Sequence, residues 1–188
     1  MSQAKTLTQA EIDQVLRYTN KMRYSTRNRA MVLTSFWSGM RVGEIAALRI
    51  CDVRNEDGSM KNEVRLAVEQ TKGKHARTVF INERLRTEWA AYIKSFKVRS
   101  PNQPLFFTEK SQGFSANTLT QWFFWLYKKA GIAGASSHSG RRSFITSLAN
   151  KGIGVRVLAS LAGHKSIAVT QAYIDVNDDM KRCAVELV

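Results

Sequence analysis

Six side chains of this sequence carry chemistry that a phosphate group could use, and each sits in a short, distinctive setting. Arg41 stands in GMRVGE, Lys72 in TKGK, His138 and Arg141 in HSGR, His164 in LAGH, and Tyr173 nine residues beyond it. A guanidinium presents a planar fork of donors that matches two phosphate oxygens. An ammonium or imidazole can pass a proton to or from an oxygen. A phenol, with a pKa of about 10, becomes a useful nucleophile only when positive charge or a base helps remove its proton. Taken singly, each residue has a plainer role: a lone arginine is usually solvated charge, a lone histidine a satisfied structural group, and a tyrosine a packing residue. The order and setting of the six ask for one explanation.

Charge narrows the partners. The 188 residues hold 29 Lys plus Arg against 15 Asp plus Glu, a net charge of +14. A basic surface of that size attracts polyanions, and nucleic acid is the foremost of them. A membrane surface fits less well, because no basic amphipathic anchor is evident. The longest aromatic run, Trp122 to Tyr127, is far short of the roughly 20 apolar residues that span a bilayer. The opening MSQAKTLTQAEIDQ lacks the basic end and apolar core of a secretory signal, so a cytoplasmic protein is expected. Cys51 and Cys183 have neither metal-ligand spacing nor the density of a disulfide scaffold. With 44% hydrophobic residues, the length suits one domain spanning residues 1–188.

The elements that must position the six residues follow from caps and periodicity. Thr8 and Glu11 make a capping box ahead of Ile12, Val15, Leu16 and Thr19, which predicts a helix to about Met22. A second helix from Ser25 carries Met31, Val32, Phe36 and Trp37 and ends near Gly39; a short third spans Glu44 to Leu48, so Arg41 falls at a helix junction. Val64, Leu66 and Val68 then alternate, TKGKHA supplies a turn, and Thr78 to Ile81 alternates again, which predicts a small antiparallel sheet. Asn82 caps a helix with Leu85, Trp89, Tyr92, Ile93 and Phe96 on one face, broken by Pro101 and Pro104. Ser115 caps another that ends at Gly131. In its WFFWLY run Leu119, Trp122, Phe123 and Leu126 share a core face, which leaves Phe124 and Trp125 on the other. Further helices are expected across Arg142 to Asn150, Val155 to Leu161 and Ser166 to Ile174. Asn177 or Asp178 then caps a final helix with Met180, Cys183, Ala184 and Leu187 on one face.

The set Arg41, Lys72, His138, Arg141, His164 and Tyr173 resembles the catalytic domain of the tyrosine recombinases, the phage integrase family. The resemblance runs over nearly the whole chain and is most specific from His138 to Tyr173. It implies a mixed, mainly α fold with a small antiparallel β-sheet. It also implies a site-specific DNA recombinase or integrase that cleaves and rejoins strands through a covalent 3′-phosphotyrosine. Arg41 and Arg141 would hold the nonbridging phosphate oxygens, Lys72 would protonate the 5′ leaving oxygen, and His138 would help deprotonate Tyr173, the nucleophile. His164 would add a hydrogen bond to the phosphate, and Glu44 would support the site without reacting. Arg142 departs from the histidine found there in many relatives. The covalent bond preserves the energy of the broken one, so no metal or nucleotide cofactor is implied. Consistently, neither a GxxxxGK loop nor an acidic metal cluster stands in the sequence.

Double-stranded DNA and a homotetramer on paired DNA sites, half its subunits active at a time, are the implied partners. In relatives the tail after the tyrosine often docks into the next subunit. Because the sequence opens directly on what resembles the catalytic domain, the resemblance leads to the expectation of a protein without the family's usual helical N-terminal clamp. Two other readings use the same residues or the same fold: a type IB topoisomerase-like nicking and relaxing enzyme, and a noncatalytic DNA-binding regulator, for which Tyr173 would have no chemical purpose.

Overall fold

A computed structural model describes residues 4–71, 75–110, 113–174 and 178–186. Helices α1 (Gln9–Asn20), α2 (Ser25–Ser38), α3 (Val42–Ala47) and α4 (Ile50–Val53) precede a two-stranded antiparallel sheet of β1 (Glu63–Leu66) and β2 (Arg77–Phe80). Helices α5 (Glu83–Lys94), α6 (Ala116–Lys129), α7 (Ser139–Ala149), α8 (Val155–Ala162), α9 (Ile167–Gln171) and α10 (Asp178–Val185) follow. The architecture is therefore the mainly helical one, with a small sheet, that the sequence implied.

Helix α2 is the centre of the packing and lies against α1, α5 and α7. Its residues Ala30 to Phe36 are all buried, so it reads as apolar around its whole circumference rather than as one stripe. Its hydroxyls are satisfied inside the helix, Thr34 Oγ1 donating to the Ala30 carbonyl at 2.7 Å and Ser38 Oγ to that of Thr34 at 2.6 Å. Trp89 of α5, wholly buried, donates its indole N–H to Thr34 Oγ1 at 2.8 Å. Gly140 brings α7 against α2 so closely that a Cβ there would stand 2.0 Å from Ser35 Oγ.

The caps at Thr8, Asn82 and Ser115 form as the sequence suggests; Asn82 Oδ1, for example, accepts from the Leu85 amide at 2.9 Å. Gly39 ends α2 at φ +62, its Cα against the Phe144 ring. In the sheet Val64 pairs with Val79, and both point into the core with Leu66. Phe124 and Trp125 are half exposed on the outer face of α6.

Three boundaries differ from expectation. The alternation that began at Val64 stops at Leu66, and Val68 opens an exposed 3-10 turn. Gln70 draws the chain out of the ladder there: its side-chain oxygen accepts from the Ala67 amide at 2.8 Å, and its nitrogen donates to the Ala47 carbonyl and to Asp52. Helix α7 starts at Ser139, earlier than Arg142, with His138 at its N-cap. Helix α9 ends at Gln171, so Tyr173 lies in a turn rather than inside a helix. In the tail, Asn177, Leu187 and the side chains of Met180 and Cys183 lie outside what the structure describes.

Candidate active site

The site is organised by the C-terminus of α8. A helix leaves its last four carbonyls without intrahelical partners, and its dipole makes that end negative. Here Gly163 takes the left-handed conformation, φ +63, and the chain closes with two turn bonds, Gly163 N–H to the Ser160 carbonyl (3.0 Å) and His164 N–H to that of Ala159 (2.9 Å). The next three carbonyls each accept from a different arginine. Leu161 receives Arg77 Nη1 at 3.0 Å, Ala162 receives Arg141 Nη2 at 2.6 Å, and Gly163 receives Arg41 Nη2 at 3.1 Å. Three guanidiniums from β2, α7 and the N-cap of α3 are thus gathered on one helix end.

Arg141 is nearly buried and also donates from Nη1 to the carbonyl of Gly39, the left-handed glycine that ends α2, at 2.6 Å. Burial first, then the charges of Arg41 and Arg77, lower its pKa to about 10, which leaves it charged at neutral pH. Glu44, with its side chain only 1% exposed, is the counterion. Its Oε1 accepts from Arg41 Nη1 and Arg77 Nε, both at 3.1 Å; its Oε2 accepts from the Arg41 amide at 2.8 Å and Arg77 Nη2 at 2.7 Å. Burial pushes the Glu44 carboxyl up, but the hydrogen bond and charge of Arg77, then those of Arg41, outweigh it and hold the group below its ordinary value.

His164 is bonded on both ring nitrogens. Nε2 lies 2.8 Å from Arg141 Nη2 and Nδ1 lies 2.8 Å from Thr170 Oγ1. A guanidinium has no acceptor, so Nε2 accepts and the ring proton sits on Nδ1, directed at Thr170. Burial, followed by the charges of Arg141, Arg41 and Arg77, drives the imidazole pKa down to about 4, so the ring is neutral near pH 7. The Tyr173 ring stacks on it, centroids 5.6 Å apart at 25°. Arg142 covers the Tyr173 ring, its Cζ 5.4 Å from the centroid, and donates from Nε to Thr6 Oγ1 at 3.0 Å. Thr146 Oγ1 donates to the Tyr173 carbonyl at 3.2 Å.

Two adjoining clefts meet at Val169. One is lined by Arg41, His75, Arg77 and His164; the other by Ser136, His138, Arg142 and Tyr173. Of the six residues singled out in the sequence, Arg141, His164 and Tyr173 therefore form a chain of direct contacts, Arg41 bonds to the same helix end and shares the first cleft with His164, and His138 shares the second cleft with Tyr173. Lys72 lies outside the described residues, in the β1–β2 connection between Thr71 and His75. Arg142, next to Arg141, belongs to the tyrosine cleft and not to the arginine cluster. Sequence reasoning missed Arg77, although a signal existed: Val79 and Ile81 face the core, and the two-residue period puts Arg77 on that same face. An arginine directed inward requires a buried acceptor, which Glu44 supplies.

The family model described as "Phage integrase family" matches residues 5–180. The chain belongs to the phage integrase family. Among its curated relatives in that family, the tyrosine recombinase XerA of Pyrococcus furiosus is 31% identical over 186 residues, which cover 97% of this chain and 61% of XerA. The tyrosine recombinase XerC of Lactobacillus delbrueckii subsp. bulgaricus is 29% identical over 185 residues, 95% of this chain and 60% of that protein. The chain thus spans about three fifths of the length of these relatives. Among solved structures, a XerA recombinase crystal structure superposes with a TM-score of 0.77 at 26% identity, over 100% of this chain and 66% of that one. The Tn1549 transposon integrase, solved with a circular intermediate DNA, shares the fold at a TM-score of 0.79 and 20% identity, over 100% of this chain and 67% of its own. No helix among the described residues is long and apolar enough to cross a membrane.

Proposed function

We propose that this member of the phage integrase family is a site-specific DNA recombinase. It cleaves and rejoins double-stranded DNA through a covalent 3′-phosphotyrosine, with Tyr173 as nucleophile, and integrates, excises or inverts DNA. The observation that supports this most is the gathering of Arg41, Arg141 and His164 on the end of α8 with the Tyr173 ring stacked on His164. Among the described residues, two of the five N–H donors of Arg41 and three of those of Arg141 are engaged, which leaves both guanidiniums donors for an incoming phosphate.

In the reaction Tyr173 Oη attacks phosphorus and the P–O5′ bond breaks. The phenolic proton passes to His138, and the departing O5′ takes one from Lys72. Negative charge that builds on the nonbridging oxygens falls on Arg41 and Arg141. His164 joins them by exchanging tautomers. As Arg141 turns its Nη2 hydrogen to the phosphate, Nε2 is released, and the Thr170 hydroxyl, able to donate as well as accept, supports the ring with the proton moved to Nε2. A 5′ hydroxyl from another strand reverses the sequence with no metal or nucleotide. This work requires access to the cell's DNA, so we place the protein in the cytoplasm.

Strand exchange needs two duplexes, and we extend the proposal to a homotetramer on paired sites. Val157 on α8 and Ile167 and Val169 around α9 are exposed apolar side chains beside the tyrosine turn, a surface suited to the tail of a neighbouring subunit. The central test is chemical. The protein is incubated with nicked duplexes made from random genomic fragments and run on denaturing gels. A Tyr173→Phe variant should retard DNA on native gels yet form no adduct, whereas the unmodified protein forms one. An adduct that persists in Tyr173→Phe refutes the assignment.

A further inference from the structure

We infer that Arg77 is a positioning residue for strand transfer: by holding the Glu44 carboxylate as a fork, it keeps the Arg41 guanidinium turned toward the phosphate. The inference rests on the strand-transfer reading above and adds a residue that does not itself touch the reacting atoms.

The geometry carries it. Arg77 gives Glu44 two parallel N–H donors, Nη2 to Oε2 at 2.7 Å and Nε to Oε1 at 3.1 Å, while the Arg41 side chain gives it one, Nη1 to Oε1 at 3.1 Å. A buried carboxylate draws in every donor within reach, because each missing hydrogen bond to a charged group is costly. With Arg77 present, the oxygens of Glu44 are filled by Arg77, by one Arg41 nitrogen and by the Arg41 amide, and Arg41 spends its other terminal nitrogen on the Gly163 carbonyl. Without Arg77, the strongest available compensation is for Arg41 to fold onto Glu44 as the fork itself, which removes donors from the cleft. Arg77 also donates from Nη1 to the Leu161 carbonyl, and its Cδ would stand 2.7 Å from a Cβ at Gly163, so it is wedged between β2 and the end of α8. It is the first residue of β2, the strand that follows the connection containing Lys72, and so ties that end of the hairpin to the arginine cluster.

Among the described residues, three charged groups face Glu44: Arg41 from the start of α3, Arg77 from β2 and Arg141 from α7. His75, His164 and Lys165 line the same cleft. Loss of Arg77 leaves burial of Glu44 opposed by Arg41 and the more distant Arg141, so its carboxyl titrates at higher pH.

The experiment uses the duplex that the unmodified protein captures covalently from a pool of nicked duplexes with a randomised core. Single-turnover adduct formation is followed against pH for Arg77→Met, Arg77→Lys and the double variant Glu44→Gln/Arg77→Met, with native-gel binding of the same duplex in parallel. Arg77→Met should bind the duplex but form adduct about 100-fold more slowly, the scale of a misplaced catalytic group. Its acid limb should move to higher pH. Arg77→Lys, which restores the charge without the fork, should recover part of the rate. The double variant should form adduct faster than Arg77→Met and slower than the unmodified protein, because a neutral amide draws Arg41 less strongly. An Arg77→Met protein with the full rate, an unmoved acid limb, or a lysine variant no faster than the methionine one would overturn the inference. If Arg77→Met fails to fold, the double variant, which leaves no buried carboxylate short of its donors, decides, and a full rate there also overturns it. Absence of a Tyr173-dependent adduct from the unmodified protein would instead bring down the strand-transfer reading, and this inference with it.

Discussion

Replacing Gly163 by alanine separates the backbone that gathers the arginines from the arginines themselves. At φ +63 the new residue must adopt a left-handed conformation, which costs about 1–2 kcal/mol for an L-residue. For a chain of this size each kcal/mol lowers Tm by roughly 2–4 °C, so the backbone term alone predicts a fall of about 2–8 °C. Gly152 offers the matched control. It has φ +80 and nothing within 4 Å of a Cβ, so Gly152→Ala incurs the same backbone cost and no contact. At Gly163 the added Cβ stands 2.7 Å from Arg77 Cδ and 3.2 Å from its Nε. Arg77 cannot swing aside freely, because Glu44 and the Leu161 carbonyl hold its guanidinium. Either Arg77 or the helix end must therefore move, and the carbonyls that hold Arg41 and Arg141 move with it.

A displacement of the order of 1 Å at a catalytic group costs about 100-fold in rate. The expected pattern is thus a Tm loss in both variants, at least as large in Gly163→Ala as in Gly152→Ala, with adduct formation on a nicked duplex lost only in Gly163→Ala. Thermal melting by circular dichroism and single-turnover adduct assays read the two quantities separately. Equal adduct rates in both variants would refute the idea that the left-handed cap at Gly163 sets the arginine positions.

Three further outcomes are expected. The His164 imidazole is held down to about 4 in the folded chain against an ordinary value near 6.5, so the unfolded chain binds more protons between those pH values; the stability this group contributes is complete above pH 6.5 and lost as the pH falls toward 4. Urea unfolding should accordingly show a flatter pH dependence for His164→Asn than for the unmodified protein over that window, and parallel curves would contradict the assignment. Lys72→Ala should slow cleavage strongly and be rescued by a 5′-bridging sulfur, whose thiolate leaves without a proton, whereas Arg41→Ala should not be rescued; rescue of Lys74→Ala instead would move the general acid to that lysine. Deleting residues from Met180 onward should weaken cooperative assembly on paired sites more than binding to a single site, as gel-shift titration would register, and unchanged cooperativity would exclude the tail as a subunit connector.

The sequence made the fold legible wherever a local rule decided the structure. Thr8, Asn82 and Ser115 cap helices because each offers an oxygen to an amide two or three residues on, and Val64, Leu66 and Val79 alternate because one face of the sheet is buried. Local rules failed where a distant partner intervened. Gln70 ends β1 by bonding to Ala47 and Asp52, and Thr170 turns inward to His164 in a segment whose Ile167 and Val169 remain exposed, so apolar periodicity overextended both the strand and the last helix before Tyr173. In the candidate site, side-chain types were legible but their acceptors were not, because Arg41, Arg77 and Arg141 bond to backbone carbonyls that every residue possesses. Only the glycine of LAGH hinted that a helix end would turn there.

The charge balance at that helix end gives the arrangement its chemical sense. Three guanidiniums converge where the described residues provide one carboxylate, Glu44, and the partial negative charge of a helix C-terminus, equivalent to about half an electron. The excess is positive, and the structure registers it: besides burial, mutual repulsion lowers Arg141, and the same cations keep His164 from accepting a proton. Such a cluster is held by surrounding structure at a cost that an anion in the cleft would relieve. A phosphodiester relieves part of it, and a phosphorane-like transition state, with more charge on the same two oxygens, relieves more. Binding that strengthens as charge develops is the condition for catalysis rather than mere retention of DNA. On the proposed strand-transfer reading the crowding of Arg41, Arg77 and Arg141 therefore favours the charged transition state, and Arg77→Met, which also takes two donors from the buried Glu44 carboxylate, should slow adduct formation by more than its cost to the unliganded fold accounts for.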